Sequence, residues 1–107
     1  MLDTMANMDI NDFREHVQAI PRLKGFLQNG RVKRWPRKAA LRNQLLDIVI
    51  ACLGETQIWN EAEITRTLSE IASDPATLRR TLVDTKRLVR SPDGSIYRLP
   101  PSDGAMR

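Results

Sequence analysis

The sequence predicts a mainly α-helical α+β fold with a small β-hairpin: a winged helix-turn-helix from about Lys38 to Leu99, with an extra N-terminal helical segment. Three observations predict it. A long apolar helical pattern precedes a very short β-prone run, two shorter helical patterns follow with a tight turn between them, and two β-prone runs flank a turn sequence at the end. This order of helix, strand, two helices and hairpin is typical of the winged arrangement.

The length of 107 residues suits one domain with a single core, and 41% hydrophobic with 28% charged residues is ordinary for a soluble globular protein. We expect residues 1–22 to form a helical extension that is partly disordered at its start. Residues 23–100 are expected to form the winged-helix-like domain, and residues 101–107 a disordered tail. The sequence leaves open whether the extension packs on the domain or swaps with a neighbouring copy.

Composition excludes several classes of protein. Cys52 is the one cysteine, so no disulfide within the chain is possible. The longest purely apolar run, Ile48 to Leu53, is far too short to cross a bilayer, and the first residues have neither a basic nor an apolar signal region. We therefore expect a cytoplasmic protein that is not bound to a membrane.

An N-terminal helix is predicted because apolar residues recur at helical spacing, at Ile10, Phe13, Val17 and Ile20. Pro21 interrupts this helix or starts the next turn. A further helical turn and a half is predicted from Leu23, Phe26 and Leu27, with Asn29-Gly30 as its C-terminal end. Residues 31–35 alternate weakly and are interpreted as a short extended segment that Pro36 closes.

The clearest helix is predicted from Lys38 to Leu53, before a stop at Gly54. Its apolar residues fall on one face, at Leu41, Leu45, Ile48, Val49 and Cys52. The short β-prone run Gln57-Ile58-Trp59 then predicts a small strand.

Capping signals define the two shorter helices. Asn60 with a Glu three residues later resembles a capping box, and the buried stripe of this helix is predicted at Ile64, Leu68 and Ile71. Asp74-Pro75 starts the next helix, whose inner face is predicted at Leu78, Leu82 and Thr85. The turn Pro92-Asp93-Gly94 then joins two β-prone runs, 88–90 and 95–99, into a hairpin.

The residues from about 24 to 99 resemble a known family. The pattern comprises Phe26-Leu27, Gly30-Arg31, Trp35-Pro36 with Lys38, Glu61-Ala62-Glu63-Ile64, Asp74, Thr77-Leu78-Arg79-Arg80, Leu82-Val83-Asp84, Leu88, Arg90, Asp93-Gly94 and Tyr97-Arg98. It is similar to the bacterial domain-of-unknown-function family numbered 2087, whose most specific part is the Ala76–Arg80 helix with Leu82–Asp84.

The resemblance implies a winged-helix-like fold and a context, because these domains are often joined to transcriptional regulators; it implies no biochemical activity. The chain departs from the family pattern after Asp84, where Lys86 and Arg87 replace the usual glycine and leucine. Either Lys86 takes up a glycine-like conformation or the helix ends differently.

Charge is distributed unevenly along the chain. Residues 16–46 carry eight Lys or Arg and no acid, whereas residues 1–15 and 47–78 are net acidic, at −3 and −5. Residues 79–107 carry a net charge of +4. The basic block either attracts a polyanion or is a solvated face balanced by the acidic segment, and the sequence favours neither.

An enzyme is not expected. His16 is the one histidine and lies in the N-terminal segment, while Cys52 falls at a core-facing position, so no Cys/His metal-ligand set is predicted. Glu61 and Glu63 are two apart on a helix and do not face each other; they are interpreted as helix-start residues. We expect no catalytic residue, no cofactor, no metal and no small-molecule substrate.

Nucleic-acid binding is the leading hypothesis, with duplex DNA as the first partner. Thr77 and Arg80 are predicted on the outer face of the third helix of the domain, with Arg79 at its flank and Ala76 and Asp84 also outward. The candidate contacts to phosphate or base are Arg31, Lys33, Arg34, Arg37, Lys38, Thr77, Arg79, Arg80, Arg90 and Arg98. Trp35 could stack on a base, although burial is the commoner fate of a tryptophan.

The alternative is a protein-interaction module with no direct DNA contact. Arg80 and Asp84 are four residues apart and could simply pair on the surface, and Asp84 would repel DNA. Small side chains at Ala76 and Val83 beside Arg79 could instead dock a regulator partner or a second copy in a homodimer. Fold alone does not choose between these functions.

Overall fold

The computed structural model describes residues 10–53 and 58–100. The α+β class is confirmed: the described residues form five helices and two small antiparallel sheets. The elements, in chain order, are α1 Ile10–Gln18, α2 Pro21–Lys24, β1 Leu27–Gln28, β2 Arg31–Val32, α3 Ala39–Leu53, β3 Ile58–Trp59, α4 Glu61–Ser69, α5 Pro75–Asp84, β4 Val89–Arg90 and β5 Tyr97–Arg98. None of the described helices is long and apolar enough to span a membrane.

The segment after α2 differs from the prediction. The helix ends at Lys24, and Leu27 pairs with Val32 in a two-stranded hairpin instead of extending the helix. Asn29 and Gly30 both have positive φ, 55° and 78°, which is what a two-residue hairpin turn of the favoured twist requires. Asn29-Gly30 is therefore a hairpin turn, and its interpretation as a helix end is wrong.

Helix α3 supplies the centre of the core. It begins one residue later than predicted and buries Leu45, Leu46, Val49, Cys52 and Leu53. Leu41 and Ile48, which were expected on the buried face, are only partly buried and pack against the edge of the core. The predicted stop at Gly54 and the strand residue Gln57 lie outside the described residues.

The predicted caps of α4 and α5 are present. Asn60 Oδ1 accepts from the Glu63 amide at 2.8 Å, and Glu63 Oε1 accepts from the Asn60 amide at 2.9 Å, which completes a capping box. Asp74 accepts from the Thr77 amide and from its hydroxyl. These caps fix where both helices begin and so fix the turn between them.

The sequence left open whether Lys86 adopts a glycine-like conformation or α5 ends differently, and the structure shows the former. Lys86 takes the left-handed conformation, with φ 66°. Its amide donates to the Val83 carbonyl at 3.0 Å, and the Arg87 amide donates to the Leu82 carbonyl at 2.8 Å. This pair of bonds is a Schellman motif built on a lysine.

The three-stranded sheet has the order β3-β5-β4 and is antiparallel throughout. Trp59 and Arg90 pair with Tyr97, and Ile58 and Val89 pair with Arg98. The β4–β5 loop is closed by the Gly94 amide, which donates to the Ser91 carbonyl at 2.9 Å. The predicted hairpin is therefore present, with the small strand β3 added at its other edge.

The N-terminal extension packs on the rest of the chain. Phe13 and Val17 of α1 are fully buried in the same cluster as Leu45 and Val49 of α3. Strand β2 attaches to the α4–α5 turn, because the Val32 amide donates to the Ile71 carbonyl and the Val32 carbonyl accepts from Ser73. One core thus unites the segments that the sequence divided at residue 22. Residues 1–9 and 101–107, including the predicted disordered start and tail, lie outside the described residues.

Candidate nucleic-acid interface

Helix α5 presents a polar outer face. Thr77, Arg80 and Asp84 are exposed, while Leu78 and Leu82 point into the core. The Thr77 hydroxyl donates to Asp74 Oδ2 at 2.8 Å, and Arg80 Nη2 lies 3.4 Å from that hydroxyl. Hydrogen bonds from Thr77, together with the charge of Arg80, lower the pKa of Asp74. The anionic Asp74 thus occupies the N-terminus of α5, so an incoming phosphate must be met by side chains.

Arg79 is committed to contacts inside the protein. Its Nη1 donates to Thr65 Oγ1 at 2.6 Å and lies 3.9 Å from Glu61 Oε2, and its guanidinium stands 5.7 Å from the centre of the Tyr97 ring. Only 13% of the side chain is exposed. Arg79 therefore joins α5 to α4 and β5, and it is a weaker candidate for nucleic-acid contact than the sequence predicts.

Arg31 is exposed, but its guanidinium is hydrogen-bonded to main-chain carbonyls of the protein. Its Nη2 donates to the Ser69 carbonyl at 2.6 Å and lies 3.5 Å from the Ala72 carbonyl. These carbonyls lie at the C-terminal end of α4, where a cation interacts favourably with the helix dipole. Arg31 thus caps α4 and is a poor candidate for a phosphate contact.

A basic groove lies between α2, the β2–α3 loop and the start of α3. Its volume is about 670 Å³. We define the basic groove by its lining residues: Arg22, Phe26, Arg34, Trp35, Pro36, Arg37, Lys38 and Leu41. Four of these are cations, none is acidic, and the Arg34 guanidinium stands 5.9 Å from the centre of the Phe26 ring. Cations around aromatic and apolar side chains form a surface that suits a phosphodiester chain.

Trp35 connects the basic groove to α5. It is partly buried, and it also lines a smaller cavity of about 110 Å³ together with Arg42, Leu46, Thr77, Leu78 and Thr81. Trp35 therefore belongs both to the wall of the groove and to the wall of a cavity that Thr77, Leu78 and Thr81 of α5 also line. This shared residue links the basic groove to the N-terminal half of α5.

A second cleft lies between α5 and the β4–β5 hairpin. Arg80 and Arg90 line this cleft together with the acids Glu61 and Asp84. The Arg90 side chain lies against Gly94, where a Cβ would overlap it. Val83 also lines the cleft but is partly buried against the core. The mixture of acids and bases makes this cleft less attractive to phosphate than the basic groove.

Two further predicted contact residues do not line the basic groove. Arg98 is paired in register with Ile58 and Val89, and cross-strand partners project to the same face of a sheet. Tyr97 is buried on the opposite face, so Arg98 belongs to the outer face of the sheet. Lys33 lines a neighbouring surface depression, which shares Phe26 and Arg34 with the basic groove.

Arg22 and Phe26 contribute to the groove but were not predicted as site residues. They belong to the segment before Asn29-Gly30, for which a further helical turn and a half was predicted, and that prediction gave no reason to place them beside Arg37. The signal that could have found them is Asn29-Gly30, a strong hairpin turn whose recognition folds this segment back.

A second cluster brings together three side chains that can ligate a metal ion. No Cys/His ligand set was expected from the sequence, because His16 lies in the N-terminal segment and Cys52 at a core-facing helical position. The structure brings them together with Asp12, so that one ligand atom from each of the three residues lies within 4.8 Å of the other two. The cluster joins α1 to α3 and shares no residue with the lining of the basic groove.

Comparison with known proteins gives a family. Residues 31–99, more than half of the chain, match the family described as uncharacterized protein conserved in bacteria (DUF2087). No curated protein and no solved structure matches the chain. The matched range begins at β2 and ends after β5, so α1, α2 and β1 precede it. The chain belongs to the bacterial DUF2087 family.

Proposed function

We propose that the protein is a transcription-regulator-type winged helix-turn-helix domain that binds duplex DNA through the basic groove and the adjoining N-terminal half of α5. The observation that carries this proposal is the position of Trp35, which contacts the basic groove on one side and lines the Thr77 side of α5 on the other. We infer that the cations of the basic groove and the N-terminal half of α5 act together as one DNA-binding surface.

In this arrangement α4 and α5 correspond to the two helices of the motif, and the β4–β5 hairpin corresponds to the wing. The element order and the β3-β5-β4 strand order support this interpretation. In helix-turn-helix domains the N-terminal residues of the second helix reach base edges in the major groove. Thr77 and Arg80 occupy those positions here.

Arg80 is the side chain proposed to read a base. It is exposed, and a guanidinium pairs in bidentate fashion with the O6 and N7 atoms of guanine. Asp84 lies one turn further along α5 and would repel phosphates, so the DNA is expected to follow the N-terminal half of the helix. Contacts between Arg80 and a base would determine which DNA sequence is bound. Phosphate contacts in the basic groove would position the protein along the DNA backbone.

The backbone contacts are assigned to Arg34, Arg37 and Lys38. Neutralising a phosphate releases a counterion, so affinity falls with salt by a slope of about 0.9 per contact in a double-logarithmic plot. Arg22 lines the same groove and adds a further cation. Because Arg31 and Arg79 have partners inside the protein, we assign them no phosphate.

The test is binding of duplex DNA, measured by fluorescence anisotropy over a range of salt concentrations. The variant Arg37→Gln with Lys38→Gln is expected to weaken binding and to reduce the salt slope by about 2. The matched control is Arg66→Gln with Arg98→Gln, which removes the same charge from exposed positions outside the groove and should leave the slope nearly unchanged.

Three outcomes contradict the proposal. These are an absence of duplex binding at low salt, equal losses in the groove variant and in the control, and tighter binding to single-stranded DNA or RNA than to the duplex. The third outcome would indicate a nucleic-acid-binding domain that does not use α5 in a major groove.

A second candidate function is protein interaction, and the outer face of the three-stranded sheet favours it. Ile58 is 66% exposed and Ile96 is 44% exposed, and both border one surface depression with Val89 and Pro92. Isolated exposed apolar residues are common, but two large ones beside a sheet edge suit a second copy or a regulator partner. Sedimentation of the wild type and of Ile58→Ser with Ile96→Ser tests it: an oligomer that the variant abolishes supports this function, and a monomeric wild type opposes dimerisation.

A further inference from the structure

Three metal-binding side chains converge where α1 packs on α3. Asp12 and His16 are four residues apart on α1 and so share one face of that helix, and Cys52 lies near the end of α3. Cys52 Sγ donates to Asp12 Oδ2 at 3.5 Å, and His16 Nδ1 lies 3.4 Å from Asp12 Oδ1. All three residues offer a ligand atom within 4.8 Å of the other two.

These separations match those around a tetrahedral zinc ion. With a Zn–S bond of about 2.3 Å and Zn–N and Zn–O bonds of about 2.1 Å, ligand atoms in a tetrahedron stand roughly 3.4–3.6 Å apart. Cys52 Sγ lies 3.5 Å from Asp12 Oδ2, and His16 Nδ1 lies 3.4 Å from the other carboxylate oxygen, Oδ1, so each distance is of this size. Because one ligand atom of each residue lies within 4.8 Å of the other two, rotation of the exposed Asp12 and His16 side chains is the adjustment that would place all three on one ion.

The hydrogen bonds of the cluster aim the three side chains at one another. The Cys52 thiol points its proton at the Asp12 carboxylate, and His16 Nδ1 donates to the Asp12 main-chain carbonyl at 2.9 Å. A metal ion that replaces these protons would meet a thiolate, a carboxylate and an imidazole. His16 can ligate through Nε2 while Nδ1 keeps its hydrogen bond, or through Nδ1 after that bond is released.

Burial in the cluster is graded from core to surface. Cys52 is only 6% exposed, whereas the side chains of Asp12 and His16 are 45% and 56% exposed. The Cys52 sulfur therefore lies at the buried end of the cluster, and Asp12 and His16 lie at its solvent-exposed end. An ion can enter from solvent, and water can fill the fourth coordination position.

We propose that Asp12, His16 and Cys52 form a binding site for one Zn²⁺ ion that ties α1 to α3. Sulfur and imidazole donors select zinc over the hard ions Mg²⁺ and Ca²⁺, which take oxygen ligands. The site is independent of the proposed DNA-binding function, because none of its residues lines the basic groove or lies on α5. It adds a metal-dependent attachment of the N-terminal extension to the core.

The test uses the full chain and Co²⁺ as a spectroscopic substitute for zinc. We expect one Co²⁺ per chain, with a thiolate-to-metal charge-transfer band, intense visible bands of tetrahedral coordination, and loss of both when Zn²⁺ is added. Zinc should also raise the thermal midpoint of unfolding, since a ligand that binds only the folded state stabilises it. Acidification should release the metal, because protons compete for the sulfur and nitrogen ligands.

Variants distinguish this site from adventitious binding. His16→Ala removes an exposed ligand and should leave the metal-free fold intact, while lowering Zn²⁺ affinity by about a hundred-fold or more. Cys52→Ala should abolish the charge-transfer band. Glu15→Gln, an exposed carboxylate beside the site on α1, is the control and should bind as the wild type does.

The proposal is overturned by a wild-type protein without the charge-transfer band. It is also overturned by unchanged Zn²⁺ affinity in His16→Ala. Because His16 is exposed, this variant is expected to fold, so the result is decisive even if Cys52→Ala does not fold. A loss in Glu15→Gln equal to that in His16→Ala would show diffuse attraction to acidic side chains and would likewise overturn it.

Discussion

Lys86 occupies the left-handed position at the C-terminal end of α5, where glycine is the usual residue. It holds φ at 66° so that the Lys86 and Arg87 amides can reach the last carbonyls of α5. A side chain in this region costs about 1–2 kcal/mol relative to the right-handed region. The hydrogen bonds of the Schellman motif offset that cost, so α5 ends where the resemblance to the family predicts.

Replacing Lys86 with glycine is therefore expected to stabilise the fold. The gain in free energy of unfolding should be about 0.5–1 kcal/mol, because relief of strain exceeds the added flexibility of the unfolded chain. Chemical denaturation measures it. Arg66→Gly, inside α4, is the control and should lose about 1 kcal/mol; equal effects of both substitutions would contradict the account.

Asp93 at the tip of the β4–β5 hairpin holds its turn through its charge. Its carboxylate accepts from the Ser95 amide and from the Ser91 and Ser95 hydroxyls, and these bonds lower the pKa of Asp93 to about 2. A depressed pKa means that the stabilising contribution is present above the ordinary value near 3.8 and is lost as the pH falls through about 2.

An acid titration followed by NMR checks this assignment. The Ser95 amide shift should move with a midpoint near the lowered pKa of Asp93, because that amide donates to the carboxylate. In Asp93→Asn the transition should vanish. A midpoint at the ordinary aspartate pKa would mean that the carboxylate is not held by these bonds.

At the scale of elements, Arg79 joins three pieces of secondary structure. It belongs to α5, donates to Thr65 of α4 and lies over the ring of Tyr97 in β5. Arg80, its neighbour in sequence, projects outward from the same helix. The two adjacent arginines thus have different roles, since Arg79 makes contacts that hold the fold together and Arg80 is proposed to contact DNA. Only the three-dimensional packing distinguishes them.

Single substitutions should separate the effect of Arg79 on stability from the proposed effect of Arg80 on DNA binding. Arg79→Ala is expected to lower the free energy of unfolding by about 1–3 kcal/mol, since it removes a charge-assisted hydrogen bond and a cation–π contact. Arg80→Ala should change stability by no more than about 0.5 kcal/mol and should act on DNA binding instead. Measurement of both properties in both variants checks the assignment, and a reversed pattern would refute it.

Local signals predicted most of the elements. The capping box at Asn60, the cap at Asp74 and the conformation of Lys86 are properties of a few neighbouring residues, and each is present in the structure. Asn29-Gly30 was misinterpreted because Leu23, Phe26 and Leu27 also fit a helical spacing. The strands that this turn joins are two residues long, too short to show alternation.

At the scale of the whole molecule, the candidate sites depend on contacts between distant segments. Arg22 joins the basic groove because the β1–β2 hairpin reverses the chain, and His16 meets Cys52 because α1 packs on α3. No residue spacing in the sequence predicts that Arg22 joins the groove or that His16 lies near Cys52. The sequence predicted a basic block but could not say which of its cations would line the groove and which, like Arg31, would bond to main-chain carbonyls of the protein.

The proposed function requires that the basic groove and the N-terminal half of α5 form one contact surface for DNA. Titration of the ¹⁵N-labelled protein with duplex DNA shows whether they do. The amide signals of Arg34, Arg37, Thr77 and Arg80 should shift together, while that of Arg98 on the outer sheet face should not. Shifts confined to the outer sheet face, or no shifts at low salt, would contradict it.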